Sequence, residues 1–287
     1  MSATAAIKPG FPDLAGKVAL VTGAGRSGGL GEAIARRLAA EGCHVVVTDI
    51  GRPRGAEMPA SAIGSDDDTG QVAAAIRAAG GRCETLALDV LEEDQVRAAV
   101  DTAVERCGGL DILVNNAGIG YLMKPIVEMA AAEWDAVLGV NLRGAFLCTR
   151  YAAERMIAQG RGGRIVNIAS QAAKSGFPFA SAYCSSKHGL VGLTRVAAIE
   201  LGEHAITVNA ICPNHVTTGL GAWQNEFFSK ALGMSLEQYL AAMRGRIPLG
   251  RPGLPEDTAN ACAWLCSQQA RYVTGEAINV SGGEEMH

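Results

Sequence analysis

The sequence predicts a doubly wound α/β fold, in which one parallel sheet of seven strands is covered by helices on both faces. Two observations carry that expectation. Short β-branched runs alternate with longer Ala/Leu/Arg/Glu stretches of helical period, as strands buried on both faces and joined by crossover helices require. The chain is 287 residues long, within reach of one large α/β domain. No internal repeat or linker divides it, so 1–287 is read as a single domain.

The elements follow in order. The first strand, 18–22, is a β-rich run that leads straight into a glycine cluster. A helix starts near Leu30, where LGEAIARRLAAEG spaces its apolar residues three and four apart and ends in glycine. Residues 44–48 (HVVVT) form the second strand. Residues 51–68 (GRPRGAEMPASAIGSDDD) are too rich in Gly, Pro, Ser and Asp for either regular state. They are read as a long surface loop whose acidic end caps a helix beginning near Thr69. The same alternation gives strands at 83–88, 112–115, 164–168 and 206–211, and helices from near Leu91, Ala132 and Ser181. Residues 219–247, with Trp223, Phe227, Phe228, Met234, Tyr239 and Met243, break the rhythm and read as one or two inserted amphipathic helices. A last helix begins near Pro255, proline being suited to a first helical turn, and a last strand lies around 277–280. In such a sheet a ligand binds at the carboxyl ends of the strands.

Hydrophobic residues make up 48% of the chain and charged residues 19%, which excludes a disordered protein. A net charge of −4 without any Lys/Arg-rich block gives no electrostatic basis for nucleic acid or an anionic membrane as partner. No run of eighteen apolar residues marks a membrane span. Residues 1–12 lack the basic start and apolar run of a secretory signal, so a cytoplasmic location is expected. Eight cysteines are scattered, most of them in apolar runs. Cys262 and Cys266 are one turn apart, with no His or further Cys pair nearby in sequence to complete a zinc site. The cysteines are read as reduced core thiols, and no metal is expected.

The loop after the first strand reads Thr22-Gly23-Ala24-Gly25-Arg26-Ser27-Gly28-Gly29-Leu30-Gly31. Glycines let backbone approach a pyrophosphate closely, and the helix N-terminus that follows offers free N–H groups and a positive dipole end. Between a strand and a helix, this cluster points to a dinucleotide. Asp49 closes the second strand some twenty residues on. A carboxylate there accepts from the adenosine ribose hydroxyls and repels a 2′-phosphate, which favours NAD over NADP. Arg26, Arg52 and Arg54 are the residues that would favour a 2′-phosphate instead.

With these motifs in place, the chain from about Gly16 to Gly283 resembles the short-chain dehydrogenase/reductase family. Thr22, Gly23, Gly29 and Gly31 fit the family's glycine loop once Ser27-Gly28 is treated as an insertion, and Arg26 and Leu30 join the expected cofactor contacts. Asp89-Val90 resembles the pair that holds the adenine, and Asn115-Asn116-Ala117-Gly118 the family's NNAG. Ser170, Tyr183, Lys187 and Asn141 align with its catalytic set. The resemblance implies that Ser170 steadies the substrate oxygen, that Lys187 also binds the nicotinamide ribose, and that Asn141 holds a proton-relaying water. Pro213-Asn214-His215-Val216-Thr217-Thr218 stands where the family has Pro-Gly-x-Val-x-Thr. Asn214 is expected to take the left-handed backbone that glycine would have taken. Pro213, Val216 and Thr218 are carried over as contacts to the cofactor, whose carboxamide would meet the Val216 backbone and Thr218.

Tyr183 and Lys187 are also legible without the family. Four residues apart on a helix, they share a face. A nearby ammonium, joined by a cationic nicotinamide ring, pulls a phenol below its ordinary value near 10, so Tyr183 is expected to exchange the proton of an alcohol/ketone pair. Substrate contacts are expected from Ser170, Gln171, Phe177, Tyr183, Asn214, His215 and Trp223, with Lys174, Phe179, Tyr121, Met123 and Phe227 as further candidates. This mixture of aromatic and polar groups suits a sugar, polyol or cyclic alcohol. The alternatives are an NADPH-dependent β-ketoacyl carrier-protein reductase and a non-catalytic nucleotide-binding regulator. By the resemblance, the chain forms a dimer or homotetramer.

Overall fold

A computed structural model of the chain describes residues 10–52 and 65–286. Arg54 and most of the expected surface loop lie outside these residues. The strands are β1 (Val18–Val21), β2 (His44–Asp49), β3 (Arg82–Ala87), β4 (Ile112–Asn115), β5 (Gly163–Ile168), β6 (Ile206–Pro213) and β7 (Ala277–Val280). They form one sheet in the order β3-β2-β1-β4-β5-β6-β7, and every neighbouring pair is parallel. The fold class expected from the sequence is therefore the one observed.

The helices are α1 (Leu30–Ala40), α2 (Asp66–Ala78), α3 (Glu93–Cys107), α4 (Ala131–Leu138), α5 (Ala145–Gln159), α6 (Ser181–Leu201), α7 (Gly219–Ala231), α8 (Leu236–Arg246) and α9 (Pro255–Cys266). Alternation along the strands sends neighbouring side chains to opposite faces. Leu20, Val46, Leu113, Ile165 and Val208 join the core under α3, α5 and α6. Ala19, Val21, Val45, Val47, Ile112, Val114 and Val166 join the core under α1, α2 and α9. This two-sided burial is why the strands read as continuous apolar runs. The eight thiols are free, and six of them are buried.

Two details depart from the expected boundaries. Helix α2 begins at Asp66 instead of near Thr69, because Ser65 accepts from the Asp68 N–H while the Asp68 carboxylate accepts from the Ser65 N–H. The acids expected to cap the helix are thus its first turn, where they meet the positive end of its dipole. The helix expected from near Ala132 is interrupted: α4 and α5 are joined through a π-helical segment, Gly139–Gly144. Such a segment adds a residue to the turn and commonly marks a functional site. Asn141 stands inside it.

Candidate active site

The carboxyl ends of the strands open into a cavity of about 480 Å³ lined by the glycine loop, the β4 and β5 ends, and α7 and α8. Its nucleotide side is built by interlocked backbone. The Thr22 hydroxyl accepts from the N–H groups of Asn116 (3.1 Å) and Ala117 (3.0 Å). The Asn116 amide in turn donates to the carbonyls of Thr22 (2.9 Å) and Gly23 (2.8 Å). A Cβ on Gly31 would lie 2.5 Å from that amide nitrogen, so the NNAG turn and the glycine loop fit together only through glycine.

Gly25, whose role the shifted motif leaves open, is fixed by a residue far away in sequence. A Cβ there would collide with the Thr69 hydroxyl and fall 2.7 Å from the Asp49 Cβ. The inserted Ser27-Gly28 is held by Glu32, which accepts from the Gly28 N–H at 2.6 Å. Asp49 accepts from the N–H groups of Gly25 (3.0 Å) and Ile50 (2.8 Å). Burial pushes its carboxyl up, while those hydrogen bonds and Arg26 pull it down. Arg26 also reaches across the cavity, donating to the Tyr121 hydroxyl at 2.9 Å. Gly23, Gly29, Leu30, Asp89, Val90, Ala117, Gly118, Pro213, Val216 and Thr218 line the same space.

Helix α6, the β5 end and the π-helical segment supply the four expected catalytic residues. Tyr183, Lys187 and Asn141 are buried, and the Ser170 hydroxyl stands close enough to the Tyr183 phenol to favour its ionised form. The Lys187 ammonium donates to the Ile168 carbonyl at 2.8 Å. The Asn141 side chain pairs with both backbone groups of Ile119, accepting at 2.8 Å and donating at 2.9 Å. It also donates to Ser186 at 3.0 Å, and Ser186 donates to the Tyr183 carbonyl at 2.7 Å. Asn141 therefore braces the helix that carries Tyr183; it is neither a cap nor a turn residue.

Electrostatics here differ from the expectation. Burial drives Lys187 down to about 8. Burial also pushes Tyr183 above the ordinary phenol value, opposed by the neighbouring Ser170 hydroxyl. Desolvation of the phenolate thus outweighs the pull expected from Lys187, because a buried anion loses more hydration than its neighbours return.

On the substrate side, Gln171, Phe177, Phe179, Tyr121, Asn214 and His215 line the cavity, whereas Lys174, Met123, Trp223 and Phe227 lie outside its lining. Trp223 stacks on Phe227 at 5.4 Å and meets the edge of Tyr121 at 5.3 Å, so it backs the wall and does not form it. Leu220, Gln224 and Phe228 face inward from α7, joined by Leu232, Tyr239, Arg246 and Glu284. The spacing of 220, 224 and 228 marks one helical face, a signal present in the sequence; Glu284 follows the last strand with no local signal. Asn214 corrects another expectation. Among the described residues only Phe179 and Ala205 are non-glycine residues with positive φ. The Asn214 turn needs no left-handed residue, and its side-chain amide instead donates to Glu284.

Among the described residues no group of three or more His, Cys, Asp or Glu side chains could hold a metal ion, and no helix is long and apolar enough to cross a membrane. Residues 23–285 match a family described as enoyl-(acyl carrier protein) reductase. A short-chain dehydrogenase/reductase of Armillaria gallica is 40% identical over 93% of this chain and 95% of its own. The L-2,3-butanediol dehydrogenase of Corynebacterium glutamicum is 36% identical over 93% and 98%. Among solved structures, carveol dehydrogenase from Mycobacterium avium in complex with NAD superposes with a TM-score of 0.87 at 31% identity, over 95% of this chain and 98% of that one. A single-substitution variant of the actinorhodin polyketide ketoreductase with NADPH gives 0.85 at 36% identity, over 94% and 98%.

Proposed function

The chain belongs to the short-chain dehydrogenase/reductase family of oxidoreductases, and from that premise we propose that it moves hydride between NAD(H) and a secondary alcohol/ketone pair. The observation that carries this reading is that Tyr183 and Lys187, buried together on α6, share with Ser170 the lining of the cavity that the glycine loop enters.

The residues fit a dinucleotide. Gly29 caps α1 without a side-chain acceptor, leaving first-turn N–H groups to meet a pyrophosphate. Asp49 retains acceptor capacity for ribose hydroxyls and stands where a 2′-phosphate would be repelled. The bound cofactor supplies the hydride acceptor or donor. In oxidation Tyr183 takes the proton of the substrate hydroxyl at its phenolic oxygen, and in reduction it returns that proton. Ser170 holds the substrate oxygen and steadies its changing charge. Lys187 places a cation below the phenol and holds ribose hydroxyls, and Asn141 fixes the helix on which both stand. The α7–α8 pair serves as the lid over a substrate that is a polyol, sugar-type or cyclic alcohol. Exposed Phe146, Val196 and Ile199 on α5 and α6 support a homo-oligomer, a dimer or tetramer.

A second reading, reduction of a carrier-bound β-ketoacyl group with NADPH, is favoured by the NADPH-bound ketoreductase; the family description shares with it the acyl carrier alone. One assay separates the two. Purified protein is offered secondary alcohols, polyols and cyclic diols with NAD or NADP, and a β-ketoacyl thioester with NADH or NADPH. NADH formation from an alcohol supports the first reading, and preferential thioester reduction with NADPH overturns it. Cofactor binding without turnover on any of these would favour a nucleotide-binding regulator.

A further inference from the structure

The cavity that Ser170 and Tyr183 line also carries a second polar group on its wall, made of Asn214, His215, Tyr239, Arg246 and Glu284. Leu220, Phe177 and Phe228 supply an apolar wall. Glu284 comes from the segment after β7, Arg246 from the last turn of α8, and Asn214 and His215 from the connection between β6 and α7. One Glu284 oxygen accepts from Arg246 Nε at 3.0 Å. The other accepts from the Asn214 amide and lies 3.9 Å from His215 Nε2.

The segment carrying Glu284 is fixed in place. Asn279 and Ser281 both donate to the Glu285 carbonyl at 3.1 Å, and Ser175 donates to the Glu285 carboxylate at 3.0 Å. Neighbouring carboxylates thus face different ways: Glu285 is tied to the loop after Ser170, and Glu284 lines the cavity with a side chain only 11% exposed.

The charges of this second group select a chemistry. Glu284 and Arg246 compensate each other, and burial lowers His215, which keeps it neutral at pH 7. An anionic group would meet the carboxylate, and a cationic group the guanidinium. An uncharged hydroxyl satisfies both, donating to the carboxylate and accepting from the guanidinium.

We propose that Glu284 is a specificity-determining residue that, with Arg246, binds a second hydroxyl of the substrate, so that the enzyme acts on neutral diols with one hydroxyl at Tyr183 and the other at Glu284. The inference rests on the alcohol–ketone reading above.

The test compares cyclohexane-1,2-diol and cyclohexane-1,4-diol with cyclohexanol, scored as kcat/KM with NAD and with NADP. The wild type should favour at least one diol by about tenfold or more, the scale of one hydrogen bond to a charged group. Glu284→Gln and Glu284→Ala should bring that ratio to within about threefold of unity. Glu285→Gln, which alters the same segment outside the cavity, should leave it unchanged. Circular dichroism melts and cofactor binding check that each variant folds, and the nearly isosteric glutamine keeps the test sound if alanine does not. Wild-type turnover of cyclohexanol without a diol preference, or a preference that survives Glu284→Gln, overturns the role of Glu284 and leaves the alcohol–ketone reading standing. Wild-type failure on all three substrates overturns the diol assignment and counts against that reading as well.

Discussion

The ammonium of Lys187 lies 5.8 Å from the centre of the Tyr183 ring and donates to the carbonyl of Ile168 at 2.8 Å. The lysine is thus tied to the end of β5, the strand that also delivers Ser170, and the helical pair is registered against the sheet. A Tyr and a Lys four residues apart are common on helices; this tie and the cavity they share with Ser170 make them parts of one site.

Tyr183→Phe keeps the ring and removes the proposed proton carrier. Turnover should fall by about two to four orders of magnitude, with the NAD dissociation constant, read by fluorescence, within about threefold of wild type. Because burial holds the phenol above its ordinary value, kcat/KM for alcohol oxidation, which needs the phenolate, should still be climbing at pH 9, while ketone reduction, which needs the protonated phenol, should stay level up to that pH. A flat oxidation profile from pH 6 to 9, or a variant with near-normal turnover, would count against Tyr183 as the proton carrier.

Lys187 gives a stability prediction independent of catalysis. Its folded value is about 8, against about 10.4 in an unfolded chain. Between these values the unfolded chain binds more protons, so this residue adds stability as pH rises through that window and is a constant penalty below it. The full span is on the order of 3 kcal/mol. Lys187→Met removes the effect, so the difference in melting temperature, variant minus wild type, should be largest at pH 7 and shrink toward pH 10. A difference that stays constant across that range would mean the lysine is not desolvated as the structure implies.

The proposed preference for NAD is tested at Asp49. Asp49→Ala removes the acceptor proposed for the ribose hydroxyls and the charge proposed to oppose a 2′-phosphate, so KM for NAD should rise by about tenfold or more. The NAD/NADP ratio of kcat/KM should fall with it. An unchanged ratio in both Asp49→Ala and Asp49→Asn would show that Asp49 does not choose the cofactor.

How far the sequence alone reaches is visible in this corner of the molecule. The strands were legible because both faces are buried and the apolar runs have no other explanation. The glycine loop was legible because its residues are adjacent in the chain. Gly25 was not, because its constraint is the hydroxyl of Thr69 on α2. Asn141 could be placed only by resemblance, since nothing local announces a π-helical turn. Trp223 drew notice by residue type, yet the wall belongs to Leu220, Gln224 and Phe228, whose spacing is the better guide. Glu284 depends on where the chain end folds back, which no local pattern encodes.

Gly25→Ala tests the long-range constraint directly. The added methyl must displace Thr69 or Asp49, and the loop that moves is the one that cradles the cofactor. NAD affinity should fall by about tenfold, and Thr69→Ala, which removes the hydroxyl in the way, should restore part of it in the double variant. Additive losses in the two variants would show that the residues do not meet as described.

Phe179 holds a φ of +69°, a left-handed conformation that costs a side-chain-bearing residue about 1–2 kcal/mol. Its carbonyl accepts from the Lys124 N–H at 2.9 Å, and its ring meets Phe227 edge-on at 5.8 Å, a pairing worth about 0.5–1.5 kcal/mol. These contacts hold the strained backbone where it lines the cavity. Phe179→Ala loses the ring and keeps the strain; Phe179→Gly loses the ring and relieves it, partly offset by the freer unfolded chain. In urea denaturation the glycine variant should therefore be more stable than the alanine variant by about 1 kcal/mol, while both raise KM for the substrate. An alanine variant as stable as the glycine one would mean that the backbone at Phe179 relaxes without its ring, and the strain would then belong to the phenylalanine contacts and not to the path of the chain.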